Sequence, residues 1–178
     1  SFDAVALIGY HAKAGGSGLM AHTMSSKHVA SMKLNGLEMG ELGLSAAMAG
    51  HFGKPVVLVS GDDALERETE ALLPDCTYVR VKRCLSARTA ECAHPAQTAG
   101  WLRAGAREAL QKLQKSKVFK LDTPVHSEVS LLVPAMADAA ESLPGTQRLN
   151  GTTLGFTCKD VLEANAYLHA IISLANVE

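Results

Sequence analysis

Short apolar runs alternate with longer amphipathic stretches along this 178-residue chain, and that alternation limits the fold more than any other feature. Residues 4–9, AVALIG, are short, apolar and ended by glycine, which marks a buried strand. Residues 28–34, HVASMKL, alternate as a second strand, and Asn35-Gly36 then reads as a tight turn, because both central positions of a type I′ turn need positive φ. The small and apolar stretch from Met39 to Gly53 predicts a helix, and PVVLVSGDD (55–63) another buried strand. Asp62 or Asp63 can cap the helix that follows and ends at Pro74, and CTYVRVKR (76–83) alternates as a strand. Together these predict an α/β fold, a mostly parallel sheet flanked by helices.

After Arg83 the texture changes. CLSARTAECAHPAQ reads as irregular, Thr98 to Gln114 as a long amphipathic helix, and VHSEVSLLV (125–133) as a strand. A helix with proline in its first turn, a β-like threonine-rich stretch and a closing helix capped by Asp160 complete the chain. The expected division is a first lobe over 1–83 and a smaller C-terminal α+β lobe over 84–178.

The 17 basic and 18 acidic residues nearly cancel, and no basic run points to nucleic acid. No apolar segment reaches the roughly 20 residues that span a bilayer, so no membrane role is expected. Cys76, Cys84, Cys92 and Cys158 lack C-x-x-C or zinc-ribbon spacing. They read as free thiols that touch no metal, which favours a cytoplasmic location. Ser1-Phe2-Asp3 runs into a strand almost at once, which reads as a trimmed or cleaved start.

The chemistry gathers in residues 9–24, GYHAKAGGSGLMAHTM, where Gly15, Gly16 and Gly18 lie between His11 and His22. Gly16-x-Gly18-x-x-Ala21 formally matches a dinucleotide fingerprint, but Tyr10 to Gly15 intervene after the strand and LMAHTMSSK is a poor crossover helix. The nucleophile-elbow pattern fails too, because Leu19 stands where its final glycine belongs. His51, His94, His126 and His169 read as ordinary surface or core residues. His11 follows the carboxyl end of an apolar strand, where open α/β sheets place ligands. Glu41 opens a small-residue helix, an awkward place for an idle carboxylate. Two imidazoles and a carboxylate suit zinc, but their spacing leaves ligand and loop readings both open.

GYHAKAGGSGLMAHTM, GELGLSA and VVLVSGDD, in that order, resemble three signatures of the zinc-dependent D-aminopeptidases, the DppA-type metallopeptidases. VKRCLSARTA and the LPGTQRLNGTT…KDVLEA tail also fit, so the resemblance covers essentially the whole chain. It implies that His11 and Glu41 are zinc ligands and that His22, in Met-x-His-x-Met, is the catalytic histidine and proposed nucleophile. The implied activity is hydrolysis of short peptides with an N-terminal D-residue, such as D-alanyl peptides, by a homo-oligomer. Ser45 departs from the family pattern, which has asparagine there.

The resemblance also implies a two-zinc centre whose other ligands lie in an N-terminal segment with an Asp-x-Glu pair and a further histidine. One histidine and one carboxylate are too few for a tight zinc site. The expectation is therefore a fragment, or a chain that acts beside an N-terminal companion fragment. The alternatives are a catalytically incomplete ligand-binding module and a nucleotide-binding domain.

Overall fold

The computed structural model describes residues 2–177. Ser1, on which the reading of a trimmed start rests, lies outside them. By its own contacts the chain forms two compact units that alternate along the sequence. One comprises Ser1–Ala12, Gly16–Ala21 and Ser45–Lys120; the other comprises Lys13–Gly15, His22–Leu44 and Leu121–Glu178.

The first unit is built on a three-stranded parallel sheet, β1 (Val5–Leu7), β4 (Val56–Gly61) and β5 (Thr77–Arg80), in the order β1-β4-β5. Every residue of β4 is buried, as expected of a central strand covered on both faces. Helix α2 (Asp63–Leu72) links β4 to β5, and its cap is Asp62. Asp62 Oδ1 accepts the amides of Ala64 and Leu65 at 3.1 and 2.9 Å, satisfying donors that a helix N-terminus leaves orphaned. The long helix α3 (Pro95–Lys112) covers the sheet through a cluster of Val57, Leu58, Val79 and Ala109.

Two features of this unit differ from expectation. Helix α3 begins three residues before Thr98, with Pro95 in its first turn and His94 as cap, the ring Nδ1 accepting the Ala96 amide at 3.2 Å. The stretch after Arg83 is an antiparallel hairpin, β6 (Lys82–Ser86) and β7 (Thr89–Cys92). Its residues are exposed or half-buried, so no apolar alternation betrays it in the sequence.

The second unit is a five-stranded sheet ordered β3-β2-β8-β10-β9, and every pairing in it is antiparallel. Its strands are β2 (Val29–Leu34), β3 (Leu37–Glu38), β8 (Val125–Leu131), β9 (Thr146–Arg148) and β10 (Thr153–Cys158). Asn35 and Gly36 make the expected turn between β2 and β3, with φ of 49° and 78°. The Asn35 side chain fastens that turn, accepting the His126 amide at 2.7 Å and donating to the Asp122 carbonyl at 2.8 Å. Helices α4 (Pro134–Ala140) and α5 (Val161–Leu174) pack on this sheet; Asp160 caps α5 through the amides of Leu162 and Glu163, each at 3.0 Å. The α/β class holds, but the parallel part is confined to three strands and the larger sheet is antiparallel. Helical connections suggest parallel strands without fixing their direction. The burial of β8 alternates residue by residue, the pattern of a strand covered on one face.

Helix α1 (Glu41–His51) carries the small-residue run ELGLSAAMAGH. All four cysteines are free. Burial pushes the Cys76 thiol up to about 12 and the Cys158 thiol up to about 11, so both stay protonated near neutrality. Among the described residues no helix is long and apolar enough to cross a membrane.

Candidate metal centre

The path to His11 is set by β1. Beyond Leu7 the chain stays tied to β4: the Gly9 amide donates to Ser60 Oγ and the Tyr10 amide to the Ser60 carbonyl, both at 3.0 Å. Gly9 takes φ of 75°, a conformation that glycine adopts without steric cost. Tyr10 and Ser45, the residue that departs from the family pattern, share a hydroxyl–hydroxyl hydrogen bond at 3.1 Å. His11 Nδ1 lies 3.1 Å from the Ala12 carbonyl. A carbonyl only accepts, so Nδ1 is the donor in this bond. A hydrogen bond of this kind commonly orients a metal-binding imidazole.

Glu41 is the first residue of α1, where the helix dipole favours a carboxylate. Its Oε1 accepts the Met24 amide at 2.8 Å and stands 3.6 Å from His22 Nε2. That separation is too long for a good hydrogen bond. It is close to the spacing of about 3.3 Å that a tetrahedral zinc imposes on ligands bound at about 2.0–2.1 Å. His11, His22 and Glu41 each offer one ligand atom, and the three atoms all lie within 4.8 Å of one another. All three residues are partly buried.

The donor set therefore fits zinc: two imidazoles and a carboxylate, all partly withdrawn from water, with His11 and Glu41 each tied to the backbone by a hydrogen bond. Sequence spacing alone left this trio undecided, and the fold brings all of it together. His94, His126 and His51 have ordinary roles: His94 is a helix cap, His126 Nδ1 bonds Thr157 Oγ1 at 3.1 Å, and His51 packs edge-on against Phe52 with ring centroids 5.0 Å apart.

The glycine segment opens no helix; residues 14–20 are turns and bends. The strand–loop–helix context of a nucleotide-binding unit is absent there. Gly18 is needed for close packing, since a Cβ at this position would lie 3.0 Å from Ala12 Cβ and 3.1 Å from both Ala64 Cβ and Asp62 Oδ2.

Comparison with known proteins decides the family. The profile of the D-aminopeptidases, peptidase family M55, matches residues 1–170. The chain belongs to this D-aminopeptidase family. It is 36% identical over 177 residues to a D-aminopeptidase of Bacillus subtilis strain 168. Its structure matches that of the "Zn-dependent D-aminopeptidase DppA from Bacillus subtilis, a self-compartmentalizing protease" with a TM-score of 0.94 and 34% identity. Each comparison covers 98% of this chain and 64% of the relative, so the chain spans about two thirds of the length of the family members it matches.

Thr23 and Asp62 also hold the glycine segment, through the Ala14 and Leu19 amides, and nothing in their sequence positions announces those contacts. Thr23 is the second variable position of Met-x-His-x-Met, and Asp62 read only as a helix cap.

Proposed function

We propose that this chain carries part of the active centre of a zinc-dependent aminopeptidase, which hydrolyses short peptides bearing an N-terminal D-residue, such as D-alanyl peptides. The convergence of His11, His22 and Glu41 within 4.8 Å carries this reading, and family membership supports it. His11 and Glu41 are the ligands. His22 works beside them as the acid–base group or nucleophile. When bound, zinc supplies Lewis-acid polarisation of the scissile carbonyl. His22 would either take the proton of an attacking water and pass it to the leaving amine, or attack the carbonyl carbon itself, the amine leaving with a proton from water and a second water hydrolysing the acyl-histidine bond. Glu41, held by the Met24 amide, keeps its carboxylate directed at the site.

The full centre holds two zinc ions, with the remaining ligands coming from outside this chain, in a longer form or an N-terminal companion fragment. Residues 1–83 bear the metal-site residues, while 84–178 contribute to the substrate pocket and subunit contacts. The relative described as self-compartmentalizing supports a homo-oligomer here too. Four free thiols support a cytoplasmic location.

A second reading has His22 as a third ligand, favoured by its 3.6 Å approach to Glu41. Zinc analysis and turnover of the whole protein separate the two. Glu41→Gln and His11→Ala should lower zinc content at least about tenfold and lose activity with it, since a ligand is gone. His22→Ala should keep its zinc and its oligomeric state while turnover on D-alanyl peptides falls on the order of a hundredfold or more. Zinc lost with His22 would make that residue a ligand. Normal turnover in His22→Ala would refute the mechanism.

A further inference from the structure

A segment with three glycines beside an active centre invites description as a mobile lid. Its hydrogen bonds describe something else. At the neck, the Ala14 amide donates to Thr23 Oγ1 at 3.0 Å, closing residues 14–23 into a loop. Both partners are buried: Thr23 is 1% exposed and Ala14 8%. A hydrogen bond in such a place is costly to break, because water cannot replace the lost partner. At the tip, the Leu19 amide donates to Asp62 Oδ2 at 2.7 Å and the Met20 amide to the Ala87 carbonyl at 2.9 Å. Asp62 is wholly buried, and Gly18 presses against it and Ala64. The loop is thus fastened at both ends.

Thr23 occupies the decisive place in this arrangement. It directly follows His22 and directly precedes Met24, whose amide holds Glu41 Oε1. The backbone at Met24 is left-handed, with φ of 60°, and the Ser25 amide turns back onto the Thr23 carbonyl at 2.6 Å. Once the Thr23 hydroxyl is fixed on Ala14, little freedom remains at the Cα of His22.

We propose that Thr23 is a positioning residue. Its buried hydroxyl locks the neck of the glycine loop, so that His22 is held in its working position before substrate arrives. This rests on the role given to His22 above. Misplacement of a reacting group by about 1 Å can cost about a hundredfold in rate, so the hydroxyl should be visible in turnover rather than in binding.

Thr23→Val keeps the shape of the side chain and removes the acceptor. In the zinc-loaded whole protein, kcat on a D-alanyl peptide should fall about tenfold to a hundredfold, while KM stays within about twofold and zinc content is unchanged. Thr23→Ser restores the hydroxyl and should restore most of kcat. Wild-type turnover in Thr23→Val overturns the proposal, and so does an equal loss in the valine and serine variants, which would assign the effect to packing. Should Thr23→Val not fold, amide exchange on the unaltered protein decides. Protection at Ala14 comparable to the β2 amides supports the lock, and exchange at open-loop rates removes it. If His22→Ala is inactive and Thr23→Val is normal, only the positioning role fails. Turnover retained in His22→Ala sinks both readings.

Discussion

A single buried carboxylate, Asp62, accepts three backbone amides: Ala64 and Leu65 on Oδ1, and Leu19 on Oδ2. Its own carbonyl accepts the Tyr78 hydroxyl at 2.5 Å, and burial with this cluster of acidic neighbours pushes the Tyr78 phenol upward. Asp62→Ala should therefore act twice. Loss of the helix cap costs about 1 kcal/mol. Leaving the Leu19 amide without its acceptor costs a further 1–3 kcal/mol or so. For a chain of this length the sum corresponds to a fall in Tm of roughly 4–16 °C, readable by thermal denaturation. Asp62→Asn, which keeps one acceptor oxygen for the cap and loses the other, should fall between. A Tm within about 2 °C of wild type in Asp62→Ala would mean that water takes over both jobs. The local chemistry of caps and turns was legible in the sequence, as Asn35-Gly36, Asp62 and Asp160 illustrate, because each needs only its neighbours in the chain. The bond from Asp62 to Leu19 spans 43 residues and leaves no local trace. The same is true of the metal trio. Separations of 11 and 19 residues carry no geometry of their own, so His11, His22 and Glu41 became readable as a set only through ordered motifs resembling a family.

Helix α1 shows why small residues gather in one element. A Cβ built on Gly50 would lie 1.7 Å from the Phe119 carbonyl oxygen and 2.8 Å from its carbon, a backbone contact that no rotamer relieves. On α3, a Cβ on Gly100 would meet nothing within 4 Å. The same substitution should thus have opposite signs. Gly100→Ala should stabilise by about 0.5–1 kcal/mol, the helix-propensity difference. Gly50→Ala gains the same propensity but forces α1 from the 116–120 segment, an overpacking cost of about 1–3 kcal/mol or more, so it should be net destabilising. Denaturant midpoints of the two variants check this, and a stabilising Gly50→Ala would show that the Phe119 backbone yields freely. Elements with a covered face were the legible ones: β4 by its unbroken apolar run and α5 by its cap and apolar face. The β6–β7 hairpin was not, because an exposed ribbon needs no apolar period. Nor was sheet direction, which is set by pairing between distant strands. The alternation in VHSEVSL was present all along and belongs to a strand with one wet face.

At the scale of the whole molecule, the proposed metal should be an addition to a fold that stands without it. His11 and Glu41 are held by bonds that need no ion: His11 by the Ser60 carbonyl at Tyr10 and by its own Nδ1 contact, Glu41 by its place in α1 and the Met24 amide. Much of the apolar interior is built without the donors, around Leu58 and Val79 under α3 and from buried residues such as Val129, Leu154 and Leu168 in β8, β10 and α5. Small metal-nucleated domains behave otherwise, because in them the ligands are the core and binding energy is folding energy. Stripping zinc with a chelator should therefore leave the far-UV circular dichroism spectrum unchanged at 25 °C while lowering Tm. With free zinc at about a hundred times its Kd, linkage predicts a loss of about 2.7 kcal/mol, or roughly 5–11 °C for a chain of this length. Adding zinc back should restore the transition, and Glu41→Gln should show little response to chelator at all. If the stripped protein instead loses its secondary structure, the trio is part of the scaffold and the fold depends on its metal.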